Sequence, residues 1–154
     1  MLKQPEPFRL GLDVVSLYRV KRMYEKRPCL FMKRFFTQEE AAYCLNAVGF
    51  GCKLERVGGR IAAKEAVMKV LGKGWPYIPW TDIELVNDGL GRPAVHLKGK
   101  ALSTMENQDI GSIQVSITHD WPVAAAVAMG ISKGLLPVCP VPSGDSASDK
   151  ANGG

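Results

Sequence analysis

Three groups of residues, far apart in the chain, are of types that could do chemistry. Arg60 and Lys64 are four apart, as are Glu65 and Lys69, so on a helix each pair shares a face. The four together set three cations and one carboxylate along that helix, which could hold a phosphate. The plainer alternative is a solvated face with ordinary i, i+4 ion pairs. Asp13 stands on an otherwise apolar, alternating segment, where a carboxylate is usually paired, capping or metal-bound. Ser16 offers the capping alternative, with Asp13 helping a helix to start. His119 follows Ser116-Ile-Thr118 at the end of an apolar run, a place where functional side chains collect and where a loop histidine held by a backbone hydrogen bond is equally at home.

The elements that must position these residues can be read from periodicity. Phe8 to Val15 alternates, with Phe8, Leu10, Leu12 and Val14 on one face of a half-buried strand and Asp13 on the other. Ser16 is a candidate N-cap for a helix through about Lys26, whose stripe of Leu17, Val20 and Tyr24 turns inward while Arg19, Lys21, Arg22 and Lys26 stand outward. Thr37-Gln-Glu-Glu40 has the form of a capping box and opens a helix over Ala41 to about Val48, which Gly49-Phe-Gly51 breaks. Gly58-Gly59 leads into Arg60 to Leu71, rich in strong helix formers and closed by Gly72. Asp82 to Val86 and Ala94 to Lys98 flank a turn-rich loop and read as a hairpin, followed by a short helix around Lys100 to Glu106. Ile113 to Thr118 and Val123 to Met129 make two further strands; the second, apolar on both faces, suits the sheet centre or an interface between copies.

The chain of 154 residues is 46% hydrophobic and 23% charged, which predicts one globular domain over 1–132 with a flexible, Pro/Gly/Ser-rich tail over 133–154. No stretch approaches the roughly 18 apolar residues of a membrane span, and the opening residues lack a signal peptide's apolar run, so the expectation is a cytoplasmic protein without a membrane partner. Four cysteines at 29, 44, 52 and 139 have no close pairs, and only His96 and His119 could assist them, so neither a zinc site nor a disulfide framework is suggested. The net charge of +5 is uneven: residues 1–75 hold 15 Lys/Arg against 7 Asp/Glu, and the remainder holds 5 against 8. A basic half attracts nucleic acid, a phosphorylated small molecule or an acidic protein. The basic residues fall on helix faces rather than in runs interleaved with aromatics, which argues against nucleic acid.

Taken in order, Gly11-Leu-Asp13, Gly59-Arg-Ile-Ala-Ala-Lys-Glu-Ala-Val-Met-Lys69 and Ser116-Ile-Thr-His119 resemble the holo-[acyl-carrier-protein] synthases, the small bacterial-type 4′-phosphopantetheinyl transferases. The resemblance covers roughly residues 8–130, including the Arg34-Phe-Phe-Thr37 helix entry and the Asp82 to Lys98 hairpin. It implies an α+β fold, a short mixed or antiparallel sheet packed with one long helix and smaller helices. The implied reaction moves the phosphopantetheine arm of coenzyme A to a serine of apo acyl carrier protein, releasing adenosine 3′,5′-bisphosphate.

By that resemblance, Asp13 and Glu65 are ligands for Mg²⁺, which takes one or two carboxylates along with phosphate oxygens and waters. Lys69 stabilises charge on the same phosphates, Arg60 and Lys64 hold other parts of the nucleotide, and His119 contacts the phosphates of coenzyme A. The serine's proton passes to Glu65, directly or through a metal-bound water. Acyl carrier proteins present an acidic helix, and Arg19, Arg22 and Met23 on the basic first helix are the implied contacts. The implied assembly is a homotrimer with active sites between subunits. One departure stands out: Gly51 and Cys52 occupy places where family members often carry consecutive basic residues for the 3′-phosphate, with Lys53 and Arg56 nearby as substitutes. Two other readings are a relative that binds coenzyme A and carrier protein without catalysis, and a basic nucleic-acid-binding module. The presence of both Asp13 and Glu65 speaks against the first.

Overall fold

The structure is a computed structural model and describes residues 6–135. Strand β1 (Phe8–Ser16) runs into helix α1 (Leu17–Lys26), followed by α2 (Pro28–Phe35), α3 (Gln38–Leu45) and the long α4 (Phe50–Leu71). A 3-10 turn at Trp80–Asp82 leads to β2 (Ile83–Asn87), β3 (Pro93–Leu97), α5 (Gly99–Asn107), β4 (Ile110–Asp120) and β5 (Val123–Ser132). The strands form one antiparallel sheet in the order β1-β5-β4-β3-β2. The fold is therefore α+β with an antiparallel sheet, and α4, about 33 Å long at 1.5 Å per residue, packs across β1, β5 and β4.

The core lies between α4 and that sheet. Ala62, Ala63, Ala66, Val67 and Val70 of α4 meet Ala124, Ala126 and Ala128 of β5, so small side chains on both partners bring the helix close to the sheet. The closest approach is at Gly11, where a Cβ would stand 2.0 Å from the carbonyl oxygen of Ala66. This contact turns β1 over relative to the sequence expectation. The side bearing Arg9, Gly11, Asp13 and Val15 faces α4, whereas Phe8, Leu10, Leu12 and Val14 are 56% to 64% exposed on the open face of the sheet. Alternation fixes the period of a strand but not which face is covered, and here the need for backbone contact outweighed the apolar side chains.

Several boundaries also move. Helix α4 begins at Phe50, directly after Gly49 at φ 84°, rather than at Gly58-Gly59. The two glycines sit inside the helix because α1 and β4 press against them: a Cβ at Gly58 would meet Leu17 at 2.3 Å, and one at Gly59 would meet Ile117 at 2.8 Å. Helix α2, absent from the sequence reading, starts with Pro28 in its first turn, where the missing N–H costs nothing. Helix α3 ends at Leu45, short of Val48, but its capping box is present as expected: Glu40 N–H donates to Thr37 Oγ1 at 3.3 Å, and Thr37 N–H to Glu40 Oε2 at 3.0 Å. Strand β4 extends to Asp120, so His119 lies within a strand opposite Ala124 and not in a loop. Ser16 precedes α1 without a side-chain capping bond. Residues Lys133–Leu135, expected as loose tail, form a 3-10 turn in which Lys133 N–H donates to Asp109 O. The rest of the expected tail, 136–154, lies outside the described residues.

Candidate functional site

The first constellation forms where α4 crosses β1. Asp13 projects from the α4-facing side of β1, and Lys69 of α4 reaches it, with Nζ 3.0 Å from Asp13 Oδ1 and 2.5 Å from the carbonyl oxygen of Leu12. Glu65 is one helical turn before Lys69. Partial burial holds its carboxyl above the usual carboxylate range, the negative charge of Asp13 adds to that, and Lys69 opposes it. Asp13 and Glu65 thus stand close enough to repel, with a half-exposed lysine bridging to one of them. No group of three or more His, Cys, Asp or Glu suited to a metal occurs among the described residues. Two hard carboxylates with open coordination are nonetheless a donor set that fits Mg²⁺, whose remaining positions belong to water and phosphate oxygens. The same donor set excludes a closed, all-protein zinc cage.

The second constellation is a cleft of about 200 Å³ whose lining includes Tyr43, Arg56, Arg60, Asn87 and His119. The guanidinium groups of Arg60 and Arg56 lie 3.8 and 4.5 Å from the centre of the Tyr43 ring. Arg60 donates to Asn87 Oδ1 at 2.8 Å, and Arg56 donates to the carbonyl oxygen of Tyr43 at 2.8 Å. Arg60 is only 5% exposed and meets neutral partners, while its Nε is buried with no hydrogen-bond partner among the described residues. Arg56 and Arg60 outnumber the one carboxylate of the lining, Glu55, and a cation buried against an aromatic face and an amide favours a further anion in the cleft. His119 stands half-exposed at the cleft, its Nδ1 3.6 Å from Glu55, too far for a hydrogen bond. Arg56 lines this cleft one turn after the Gly51-Cys52 departure, and Lys53 is not among the lining residues.

Lys64 belongs to neither constellation, and its expected nucleotide contact is corrected. Its ammonium is fully buried and spends all three donors inside the protein, on Glu40 Oε2 at 2.7 Å, Phe35 O at 2.7 Å and Trp80 O at 3.0 Å. Glu40 in turn accepts from Leu85 N–H at 3.0 Å. Burial lowers the lysine's pKa, and Glu40 opposes that. Nor do Arg60, Lys64, Glu65 and Lys69 share one face. At 3.6 residues per turn, Glu65 lies about 140° round the helix from Arg60, so one pair faces β1 and the other the α3 side.

The third feature is on α1. Arg19, Arg22, Met23 and Lys26 line a hollow of about 210 Å³. It adjoins a groove of about 390 Å³ between α1 and α2, with Leu30, Phe31 and Phe35 lining it beside Lys26 and Arg34. Sequence reading placed Arg19, Arg22 and Met23 here, took Lys26 as part of a solvated helix face, and missed Leu30 and Arg34. The available signal was the spacing of Leu30, Phe31 and Phe35 after Pro28, a short amphipathic turn pattern.

Comparison with known proteins gives one answer. Residues 9–126 match the family model described as the 4′-phosphopantetheinyl transferase superfamily. The chain is 39% identical over 120 residues to the holo-[acyl-carrier-protein] synthase of Clostridium tetani, covering 78% of this chain and 92% of that protein. To the enzyme of the same name from Moorella thermoacetica it is 40% identical over 119 residues, covering 77% and 90%. Among solved structures, the Helicobacter pylori holo-[acyl-carrier-protein] synthase in complex with coenzyme A superposes with a TM-score of 0.69 at 27% identity, covering 79% of this chain and 99% of that one. The Neisseria meningitidis holo-[acyl-carrier-protein] synthase gives 0.69 at 30% identity, covering 79% and 95%. Matched by that family model over residues 9–126 and by relatives of up to 40% identity over most of its length, the chain belongs to the 4′-phosphopantetheinyl transferase superfamily.

Proposed function

We propose that this protein transfers the 4′-phosphopantetheine arm of coenzyme A to a serine hydroxyl of apo acyl carrier protein, with Mg²⁺, and releases adenosine 3′,5′-bisphosphate. The observation that carries this reading is the Asp13, Glu65 and Lys69 cluster at the α4–β1 crossing, because pyrophosphate cleavage needs charge neutralised where the bridging bond breaks. When bound between Asp13 and Glu65, Mg²⁺ supplies charge neutralisation on the pyrophosphate oxygens. Glu65 takes the proton of the attacking serine. Lys69, released from Leu12 and Asp13, donates to the phosphate oxygens and stabilises the leaving group. Arg60, Arg56 and His119 hold the nucleotide, with Arg56 serving the 3′-phosphate that Gly51 and Cys52 cannot reach by charge. On α1, Arg19, Arg22 and Met23 meet the acidic helix of the carrier protein, and the opposite sign of α1 speeds their encounter.

A homotrimer completes the site. The cationic cleft and the carboxylate pair face different sides of α4, so one molecule spanning both is best served by the cleft of one copy and the carboxylates of the next. Phe8, Leu10, Leu12 and Val14, beside the exposed Val123 and Val127 of β5, form an apolar strip that no described element covers, the kind of surface that marks a contact between copies. Among the described residues no helix is long and apolar enough to cross a membrane. The free thiols Cys29, Cys44 and Cys52 suit the reducing cytoplasm.

The test is release of adenosine 3′,5′-bisphosphate from coenzyme A, followed by liquid chromatography with apo carrier protein, Mg²⁺ or chelator in turn. Release is expected only when carrier protein and metal are both present. Equal release without carrier protein would make the enzyme a hydrolase and contradict the reading.

A further inference from the structure

An aromatic pair joining the first turn of α1 to the β4–β5 turn has no part in the functions above. Tyr18 and Trp121 pack edge to face, with ring centroids 5.2 Å apart and planes at 71°, yet they remain 56% and 45% exposed. Trp121 lies in the two-residue turn between β4 and β5, and that turn is fastened to the start of α1 by Leu17 N–H donating to Pro122 O at 2.9 Å. Tyr18 is one helical turn before Arg22, which is one turn before Lys26, so the aromatic pair and the cations share the exposed face of α1. From Tyr18 to Lys26 this face runs about 12 Å, and beyond it opens the apolar groove against α2.

Two rings held together by each other and by an anchored turn offer apolar area with little ordering left to lose, which is why Tyr and Trp so often dominate interfaces beside Arg. We infer that Tyr18 and Trp121 are an anchor for the carrier protein, extending its docking surface from the basic face of α1 onto the β4–β5 turn. The inference rests on the proposed reaction and names a recognition element for it. The occupant is an acidic helical protein domain: Arg19, Arg22 and Lys26 supply the complementary charge, and the aromatic pair is continuous with them on the same face. The rings supply the apolar contact that those cations lack.

The test measures steady-state kinetics and apo carrier protein affinity for Trp121→Ala, Tyr18→Ala and Trp121→Phe in the full chain, with oligomer mass by light scattering. Trp121→Ala is expected to raise both the Kd and the KM for carrier protein about tenfold, the size of a hot-spot truncation. Tyr18→Ala should raise them less, Trp121→Phe least, and the KM for coenzyme A should not move. An unchanged KM for carrier protein, or an equal rise for both substrates, overturns the inference. A change in oligomer mass also overturns it and assigns the pair to contact between copies. Where Trp121→Ala gives no cooperative melt, Tyr18→Asp on the exposed helix face decides, since an added carboxylate must repel an acidic partner and an unaltered KM is then fatal. If the wild-type chain transfers no phosphopantetheine in the same assay, the proposed function and this anchor fall together. An active wild type beside indifferent variants removes the anchor alone.

Discussion

Helix α4 carries two lysines that each hold a carboxylate within 3.0 Å, and they do opposite things. Lys64 is fully buried, its three N–H donors divided among Glu40, Phe35 O and Trp80 O, and Glu40 also caps α3 and accepts from β2. Lys69, five residues on, is half-exposed, and Asp13 beside it has no other partner among the hydrogen bonds of the described residues. A buried pair with saturated donors cannot exchange them for substrate without exposing uncompensated charge, whereas an exposed pair can change partners at little cost. On the proposed reaction, a lysine paired with a carboxylate is therefore fold on one side of the helix, as Lys64 with Glu40, and chemistry on the other, as Lys69 with Asp13, and depth decides which.

The comparison can be broken at either end. The largest effect is expected for Glu65→Gln, which should lower turnover by about 10² to 10⁴, the usual scale for losing a general base, with an unaltered thermal melt. Near-normal turnover would remove Glu65 from both the metal and the base role. Next, Lys64→Met should cost about 3–5 kcal/mol of stability in a denaturant titration, because Glu40 is left charged and buried. A loss of activity at full stability would instead return Lys64 to the substrate. Lys69→Ala should lower kcat about 10²-fold while changing stability by about 1 kcal/mol or less, the reverse signature.

A smaller effect sharpens the contrast from the buried side. Cys44 is fully buried beside this network, and its thiol is pushed up from 9.0 to about 11, first by burial. The folded state then holds that proton more tightly than the unfolded chain, so the contribution is present below pH 9 and is lost as pH rises towards 11. Relative to Cys44→Ala, the wild type should lose roughly 2 kcal/mol between pH 8 and pH 10.5. Parallel curves for the two proteins would mean that Cys44 is not protected. Smallest is Arg19→Glu on α1, expected to raise the KM for carrier protein several-fold and spare that for coenzyme A, as a rim charge does. Equal damage to both substrates would disconnect α1 from recognition.

Local signals in the sequence carried far. The Thr37 to Glu40 capping box, the β2–β3 hairpin and the Gly72 end of α4 are where the residue types require them. Glu65 and Lys69 share a helical face, as four-residue spacing demands, and Asp13 lies opposite them. What stayed hidden was long-range. The burial of Lys64 depends on Glu40, 24 residues away, and nothing in i, i+4 spacing distinguishes it from Lys69. The inversion of β1 depends on Gly11 meeting the backbone of Ala66, a contact invisible to periodicity. Helix α4 runs through Gly58 and Gly59 because their neighbours, not their propensity, set the local structure. The cationic cleft likewise draws Tyr43, Arg60 and Asn87 from three elements.

The central claim, phosphopantetheine transfer at the Asp13, Glu65 and Lys69 cluster, is most directly tested by the intact mass of apo carrier protein incubated with coenzyme A, Mg²⁺ and either wild-type protein or Glu65→Gln. A gain of about 340 Da on a serine, the mass of a phosphopantetheine arm, is predicted with the wild type and metal, and none with chelator or with Glu65→Gln. The same gain from Glu65→Gln, or none from the wild type across several carrier proteins, would contradict it.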